Sequence, residues 1–259
     1  MLVAAAVCPC PPLLVPAVAA GAAPELDRAR TACLDAVGVL AAARPDRLVV
    51  VGPDPDADPD DGGTVTYPEG AVGGFRGFGV DLDVRLGAGA PGDGGPTRPL
   101  PPSLAVAAWL LQRADWADAP VEGVGVAAPL TPERCAEAGG EIAARAPRVA
   151  LLVMGDGSAC RSVKAPGYLD ERAADFDERA ARALGAADTA ALAALDADLA
   201  YELKAAGRAP WQVLAGAARG ASPEGRLLYD EAPYGVDPAL DAAPVVPRPA
   251  APGQTVTAR

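Results

Sequence analysis

The chain has 259 residues, of which 51% are hydrophobic, and it carries a formal net charge of −12 with no histidine. The negative charge argues against nucleic acid or an anionic membrane as a partner, because phosphate groups are bound by a concentrated basic surface. Without histidine, this chain alone cannot build a Ser-His-Asp triad, a Cys-His pair, a histidine-rich zinc site or the iron site of two histidines and one carboxylate.

The chain shows neither a targeting segment nor a disulfide pattern. The first twenty residues are apolar, but four prolines interrupt them and no basic residue precedes them, so we expect a cytoplasmic protein without a secretory signal. No apolar run of about 18 residues elsewhere predicts a membrane span. The cysteines are odd in number and scattered, which argues against a disulfide framework. They are Cys8, Cys10, Cys33, Cys135 and Cys160.

The opening of the chain predicts a strand, a helix and a second strand. Residues 2–7 form a continuous apolar run that ends in Cys-Pro-Cys-Pro-Pro, which is typical of a buried strand entering a rigid loop. Residues 24–43 place apolar side chains at helical spacing after a proline in the first turn. Residues 48–51 are a second apolar run, stopped by Gly52 and Pro53. Such a unit pairs its two strands in parallel through a right-handed crossover.

The middle of the chain continues this alternation. Residues 54–102 are rich in Gly, Pro and Asp, and only residues 64–67 and 78–86 have an extended pattern. In the second of these, apolar and charged residues alternate, which predicts a half-exposed strand added at an edge or in antiparallel. A helix, a strand, a helix and a strand then follow at residues 103–113, 121–127, 132–146 and 149–154. The whole pattern predicts a single α/β domain with a mostly parallel sheet flanked by helices.

The last third of the chain predicts a helical part and a tail. Helices are expected at residues 170–184, 189–206 and 210–218. Residues 226–229 predict one more short strand, and the domain is expected to span residues 1–235. Proline and alanine dominate residues 236–259 without any period, so we predict a disordered tail there.

Three loops that directly follow buried strands point to a site, because open α/β sheets bind ligands at the carboxyl ends of their strands. We expect these loops to bring Cys10, Asp54, Asp156 and Ser158 towards one rim, with Cys8 nearby. The glycine-rich turn at residues 155–158 has the composition of an anion cradle made of backbone N–H groups.

A local group of positive residues lies just beyond that turn. Arg161, Lys164 and Arg172 fall close together in an otherwise acidic chain. This group predicts binding of a carboxylate ligand. Arg161 is therefore counted, with Cys8, Asp156 and Ser158, among the residues expected to line a pocket.

The same loops resemble a known family. The opening Cys-Pro-Cys-Pro-Pro-Leu-Leu is similar to the C-P-H-P-P-x-L start of the LigB-type catalytic subunit of class III extradiol ring-cleavage dioxygenases and of Memo-type proteins. Residues 49–54 resemble the family's apolar strand ending in S-P-H, and residues 152–159 resemble its strand ending in G-G-x-S-H. Residues 168–170 and 206–211 resemble its helical closing part. The likeness extends to about residue 234 and implies a LigB-like fold.

The resemblance also implies a role for each matching position. Members of the family hold Fe(II) with two histidines and a glutamate, and a third histidine acts as acid and base. In this chain the first two ligand positions are Cys10 and Asp54, and the acid/base position is Ala159. The third ligand falls near Ala206, with Glu202 one turn upstream. No functional position keeps its expected residue, so no catalytic residue is assigned, and Fe(II) or another divalent metal is expected only if the centre is active.

Two functions remain open on this sequence. The first is a LigB-like pseudoenzyme that serves as a binding or interaction protein, with Cys10 filling a former ligand niche and Asp54 solvated or capping a turn. The second is a metal-dependent, dioxygenase-type oxidoreductase acting on a catechol-like aromatic through Cys10, Asp54 and Glu202.

Several partners are compatible with both functions. A small aromatic or carboxylate ligand is one, and a homo-oligomer or a partner subunit that supplies missing groups is another. The family's further apolar strand is not evident in the tail, which would leave a sheet edge open for pairing with another chain.

Overall fold

The computed structural model describes residues 1–89, 98–221, 223–229 and 243–247. Within these residues the strands are β1 (Leu2–Cys8), β2 (Arg47–Pro53), β3 (Thr64–Tyr67), β4 (Val72–Gly74), β5 (Asp83–Arg85), β6 (Val121–Val126), β7 (Val149–Met154), β8 (Pro223–Gly225) and β9 (Ala243–Pro247). The α-helices are α1 (Pro16–Ala19), α2 (Asp27–Ala42), α3 (Pro102–Arg113), α4 (Pro132–Ala143), α5 (Arg172–Gly185), α6 (Thr189–Ala193), α7 (Ala197–Glu202) and α8 (Arg208–Ala217).

The main sheet has the strand order β3-β6-β2-β7-β1-β9-β8. Strands β6, β2, β7 and β1 run in parallel, while β3 pairs in antiparallel with β6 at one side. The five strands from β3 to β1 are therefore mostly parallel, and the prediction of a single α/β domain of this kind is confirmed. On the other side, β9 pairs in antiparallel with β1, and β8 pairs in antiparallel with β9.

Helices cover both faces of the sheet, which explains why its central strands are apolar at successive positions. Alternate residues of β2 face opposite sides: Val50 packs in the core shared with α2 and α3, and Val51 packs in the core shared with α4, α5 and α8. Strand β7 is buried along its whole length. The carboxyl ends of β1, β2 and β7 consequently meet at one edge of a rigid, close-packed sheet.

Two predicted elements are shorter than expected. The alternating segment 78–86 forms a strand only at Asp83–Arg85, and this strand pairs with β4 in a separate two-stranded sheet. A turn over residues 75–82 prevents a longer strand. In this turn the Phe75 amide donates to the Leu82 carbonyl, and the Val80 amide donates to the Phe75 carbonyl. The helix predicted to begin at Pro24 begins as an α-helix at Asp27, after a 3-10 segment.

The helix predicted for residues 189–206 is instead two short helices, α6 and α7. The Asp196 carboxylate accepts hydrogen bonds from the amides of Asp198 and Leu199, both at 3.0 Å, and so starts a new helix. Asp188 accepts from the amide of Ala191 at 2.9 Å and starts α6 in the same way. The strand predicted for residues 226–229 is not present, and residues 223–225 form β8 instead.

The region predicted as a disordered tail contains a strand. Ala243–Pro247 pairs in antiparallel with Ala5–Val7 of β1, so a further strand does follow residue 234 and covers one edge of β1. The other residues of the range 236–259 lie outside the described part of the chain, and their predicted disorder stays a prediction. No helix in the described ranges is both long enough and apolar enough to cross a membrane.

Candidate functional site

Cys10 and Asp156 come together at the carboxyl ends of β1 and β7. The register that sets Cys8 beside Met154 aligns the two following loops, and the Gly155 amide donates to the Cys8 carbonyl at 3.1 Å. The Cys10 amide donates to Asp156 Oδ1 at 2.9 Å, and the Cys10 Sγ lies 3.4 Å from Asp156 Oδ2. Of the four residues expected at one rim, Cys10 and Asp156 are thus in direct contact.

Both groups of this pair have a pKa above the usual range. Burial raises the pKa of the Asp156 carboxyl to about 6, although the hydrogen bonds from Cys10 act in the opposite direction. Burial, followed by the nearby Asp156 charge, raises the pKa of the Cys10 thiol well above its usual range. Because the thiolate is the metal ligand and the nucleophile, a thiol held protonated at neutral pH is poorly suited to either task.

Asp54 is buried at the end of β2 and uses both carboxylate oxygens within the protein. The Tyr67 hydroxyl donates to Asp54 Oδ2 at 2.7 Å, and the amide of Asp56 donates to Asp54 Oδ1 at 3.0 Å. Burial, and then the hydrogen bond to Asp54, raises the pKa of Tyr67 above its usual range. Asp54 thus fixes the turn after β2 and anchors Tyr67 of β3.

Glu202 lies on the surface at the end of α7, with 56% of its side chain exposed. Its carboxylate forms an ion pair of 2.7 Å with Arg172, which also holds Asp170 and lowers the pKa of that carboxyl to about 2. Among the residues that the structure describes, no three His, Cys, Asp or Glu side chains are placed to hold a metal ion. Cys10, Asp54 and Glu202 therefore do not form the ligand set considered from the sequence.

The turn at residues 155–158 is not an open anion cradle. The Gly155 amide is bonded to the Cys8 carbonyl, and the Ser158 amide donates to Asp177 Oδ1 at 2.8 Å. The Ser158 hydroxyl donates to the Leu203 carbonyl at 3.1 Å, and the side chain is completely buried. Ser158 therefore joins the loop to α5 and α7 and does not line a pocket.

The positive residues predicted beside this turn are largely neutralised. Arg161 forms an ion pair with the buried Asp177, with Nη1 3.0 Å from Oδ2, and Arg172 pairs with Asp170 and Glu202. A carboxylate ligand would have to displace these pairs. Lys164, the third residue of the group, is exposed, and no acidic residue in the described ranges forms an ion pair with it.

Neither Ala159 nor Cys8 presents a reactive group at this edge of the sheet. Ala159, at the acid/base position, carries no titratable group, and its amide donates to the Leu203 carbonyl at 3.1 Å. Cys8 is completely buried in β1 and contacts Cys33 of α2, so it does not line a pocket as expected. All five cysteines are buried free thiols.

The start of α8 supports the loop after β7, a contact that the sequence did not predict. The Gly207 amide donates to the Asp156 carbonyl at 2.8 Å. A Cβ on Gly155 would lie 2.5 Å from the Gly207 Cα, so the two backbones touch directly. Trp211 packs beneath them, with its indole N–H buried and without a hydrogen-bond partner in the described part of the chain.

A separate cavity of about 520 Å³ lies between α5 and the pair α6 and α7. Its apolar wall includes Phe176, Leu195 and Leu199, and Arg179 and Arg182 contribute charge. None of the candidate site residues predicted from the sequence lines it. The helical part that contains it was predicted, but its packing was not.

The comparisons with known proteins establish the class of fold. Neither a protein-family model nor a curated protein matches the chain. Among solved structures, the chain is similar to the uncharacterized protein JW3007 from Escherichia coli K12, with a TM-score of 0.50 and 14% sequence identity. The match covers 94% of this chain and 98% of that one. At this identity the similarity bears on the fold alone, which is α/β in the described part of this chain, and carries no assignment of activity.

Proposed function

We propose that this chain is a LigB-like protein of the cytoplasm that performs no normal ring cleavage and acts as a binding or interaction protein. The observation that carries the proposal is the engagement of Cys10 and Asp54. These residues occupy the two positions that the family resemblance assigns to iron ligands, and each is hydrogen-bonded to a protein group, Asp156 and Tyr67 respectively.

The chemistry of these positions does not fit an Fe(II) centre. Cys10 offers a buried thiol, a soft donor, and Asp54 offers a hard carboxylate that already accepts two hydrogen bonds. Within the described part of the chain, no three potential ligand side chains are grouped to hold a metal ion. Glu202 is held at the surface by Arg172, and Ala159 has no proton to exchange. Ring cleavage by the family's route needs both a metal and an acid/base group, so we assign no such step to this chain.

The acidic charge supports a protein or small-molecule partner over nucleic acid or an anionic membrane. A small aromatic or carboxylate ligand, a second copy of the chain and a partner subunit are the partners that this proposal includes. A dioxygenase-type enzyme with a rebuilt centre is the competing function, and it makes a different prediction about metal binding.

An anaerobic calorimetric titration with Fe(II) and with Zn(II) separates the two functions. We expect no tight stoichiometric uptake by the wild-type protein, and no oxygen consumption when catechol is added to the iron-treated sample. Cys10→Ala and Cys135→Ala are the matched variants, since both remove a buried thiol and only Cys10 lies at the proposed ligand position. Uptake of one metal ion that is lost in Cys10→Ala and kept in Cys135→Ala would overturn the proposal.

A further inference from the structure

The cavity between α5 and α6–α7 has the size and the lining of a small-molecule site. Its volume of about 520 Å³ falls within the range of known ligand pockets, roughly 300–1,000 Å³. Phe176 of α5 and Leu195 and Leu199 near α7 give it an apolar wall, and alanines of α5 and α6 keep it open. A flat or branched hydrocarbon body of modest size fits this chemistry.

Two acidic residues, Asp188 and Asp196, also line the cavity, and one carboxylate oxygen of each is used by the fold. Asp188 Oδ1 accepts the amide of Ala191 at 2.9 Å at the start of α6. Asp196 Oδ1 accepts the amides of Asp198 and Leu199 at the start of α7. Both carboxylates are helix caps, since they compensate amides that have no partner within the helix.

The two arginines of α5 that line the cavity have spare hydrogen-bonding capacity. In the described part of the chain, Arg179 donates only through Nε, to the Asp175 carbonyl at 3.0 Å. Arg182 lies 4.0 Å from the Glu178 carboxylate, and both side chains of that pair are 69% exposed, so the pair is weak. The planar guanidinium groups are suited to a carboxylate, which they can bind through two parallel hydrogen bonds.

We propose that this cavity binds a small amphipathic anion. The apolar body of the ligand packs against Phe176, Leu195 and Leu199, and its carboxylate pairs with Arg179 and Arg182. This inference rests on the proposed binding function, to which it adds a site and a ligand class. The site lies away from Cys10 and Asp54, so its test is independent of the metal titration.

The experiment is a calorimetric titration of the full chain with 1-naphthoate, which carries one carboxylate on a flat apolar body. Neutral 1-naphthamide serves as the matched probe. We expect naphthoate to saturate one site and naphthamide to bind at least fivefold more weakly. Absence of saturable naphthoate binding, or equal affinity for the two probes, overturns the proposal.

Four variants locate the binding. The double variant Arg179→Glu, Arg182→Glu should weaken naphthoate at least tenfold, and Arg219→Glu, which reverses an exposed charge outside the cavity, should not. Ala191→Phe should block the cavity, whereas Ala190→Phe adds the same ring on an exposed position of the same helix. Unchanged affinity in the arginine double variant overturns the proposal even if Ala191→Phe fails to fold.

Sedimentation of the same samples tests whether a second copy of the chain, and not a small ligand, occupies the cavity. A wild-type dimer that Ala191→Phe dissociates, together with no naphthoate binding, would assign the cavity to a second copy of the chain and overturn the ligand. The metal experiment gives a separate answer. Metal uptake alongside naphthoate binding contradicts only the proposed loss of catalysis, and absence of both contradicts only the ligand site.

Discussion

The Cys10 amide and thiol both face the Asp156 carboxylate, the amide at 2.9 Å from one oxygen and the sulfur at 3.4 Å from the other. This arrangement joins the loops after β1 and β7 by a single acidic side chain. Because the carboxyl group is largely shielded from water, its protonation state is coupled to the stability of the fold.

The first prediction concerns this coupling. Burial raises the pKa of Asp156 to about 6 from a usual value of 3.8, so the folded protein holds the proton more tightly than the unfolded chain. The contribution of this group to stability is full well below pH 3.8 and is lost as pH rises through about 6, by about 3 kcal/mol in all.

Asp156→Asn removes that titration while keeping an acceptor for the Cys10 amide. We compare the free energy of unfolding of the variant with that of wild type at each pH. This difference should shift in favour of the variant by about 2 kcal/mol between pH 4 and pH 7.5. Urea denaturation at both values measures the difference, and Asp61→Asn, an exposed carboxyl, is the control. If the stability difference between the variant and wild type is the same at both pH values, the raised pKa of Asp156 is contradicted.

The second prediction concerns Tyr67, whose hydroxyl donates to the buried Asp54 at 2.7 Å. Tyr67→Phe leaves that oxygen of a buried carboxylate without its donor, so we expect a loss of about 2 kcal/mol in the free energy of unfolding. Tyr201→Phe removes a hydroxyl from a side chain that is 70% exposed and should change stability by less than about 0.5 kcal/mol. Equal effects in a urea titration would show that Tyr67 does not support Asp54.

The third prediction concerns Asp177, which is 2% exposed and accepts hydrogen bonds from the Ser158 amide and from Arg161. Asp177→Ala leaves a donor and a cation without their partner, and we expect a loss of about 3–5 kcal/mol. Asp175→Ala, at an exposed position of the same helix, should cost less than about 1 kcal/mol. Thermal unfolding compares the two, and similar melting temperatures would contradict the assigned role.

The fourth prediction concerns the crossing of α4 and α8. A Cβ on Gly139 would lie 2.0 Å from the Val213 carbonyl oxygen, whereas one on Gly140 would meet nothing within 4 Å. Gly139→Ala must separate the helices and should destabilise the fold by about 1–3 kcal/mol. Gly140→Ala should stabilise it by up to about 1 kcal/mol, since alanine favours a helix. Thermal unfolding that gives both variants the same sign would refute the contact.

The sequence predicts those parts of the fold that depend on local patterns. Strands β1, β2 and β7 are apolar runs between proline and glycine signals, and their positions agree with the structure to within two residues. The break between α6 and α7 also had a local signal, because Asp188 and Asp196 are residue types that start helices. Apolar residues at helical spacing on both sides of Asp196 mask that signal.

The details of the candidate site depend on contacts between distant residues, and no local pattern encodes them. The loops after the strands were expected to converge, and Cys10 and Asp156 do so. Whether a carboxylate at such an edge faces a ligand or a protein donor is decided by its neighbours in space. The donors to Asp54 include Tyr67, and those to Asp177 include Ser158 and Arg161. The cavity beside α5 arises from packing angles that helical periodicity does not specify.

The position of β9 has a consequence for how the chain is made. Strand β1 is complete once residue 8 has been synthesised, but it lies between β7 and β9, which end at residues 154 and 247. Its exposed edge must therefore stay unpaired while more than two hundred further residues leave the ribosome. An apolar strand in that state is a site for pairing with other nascent chains, so protection of β1 depends on a strand that is synthesised much later.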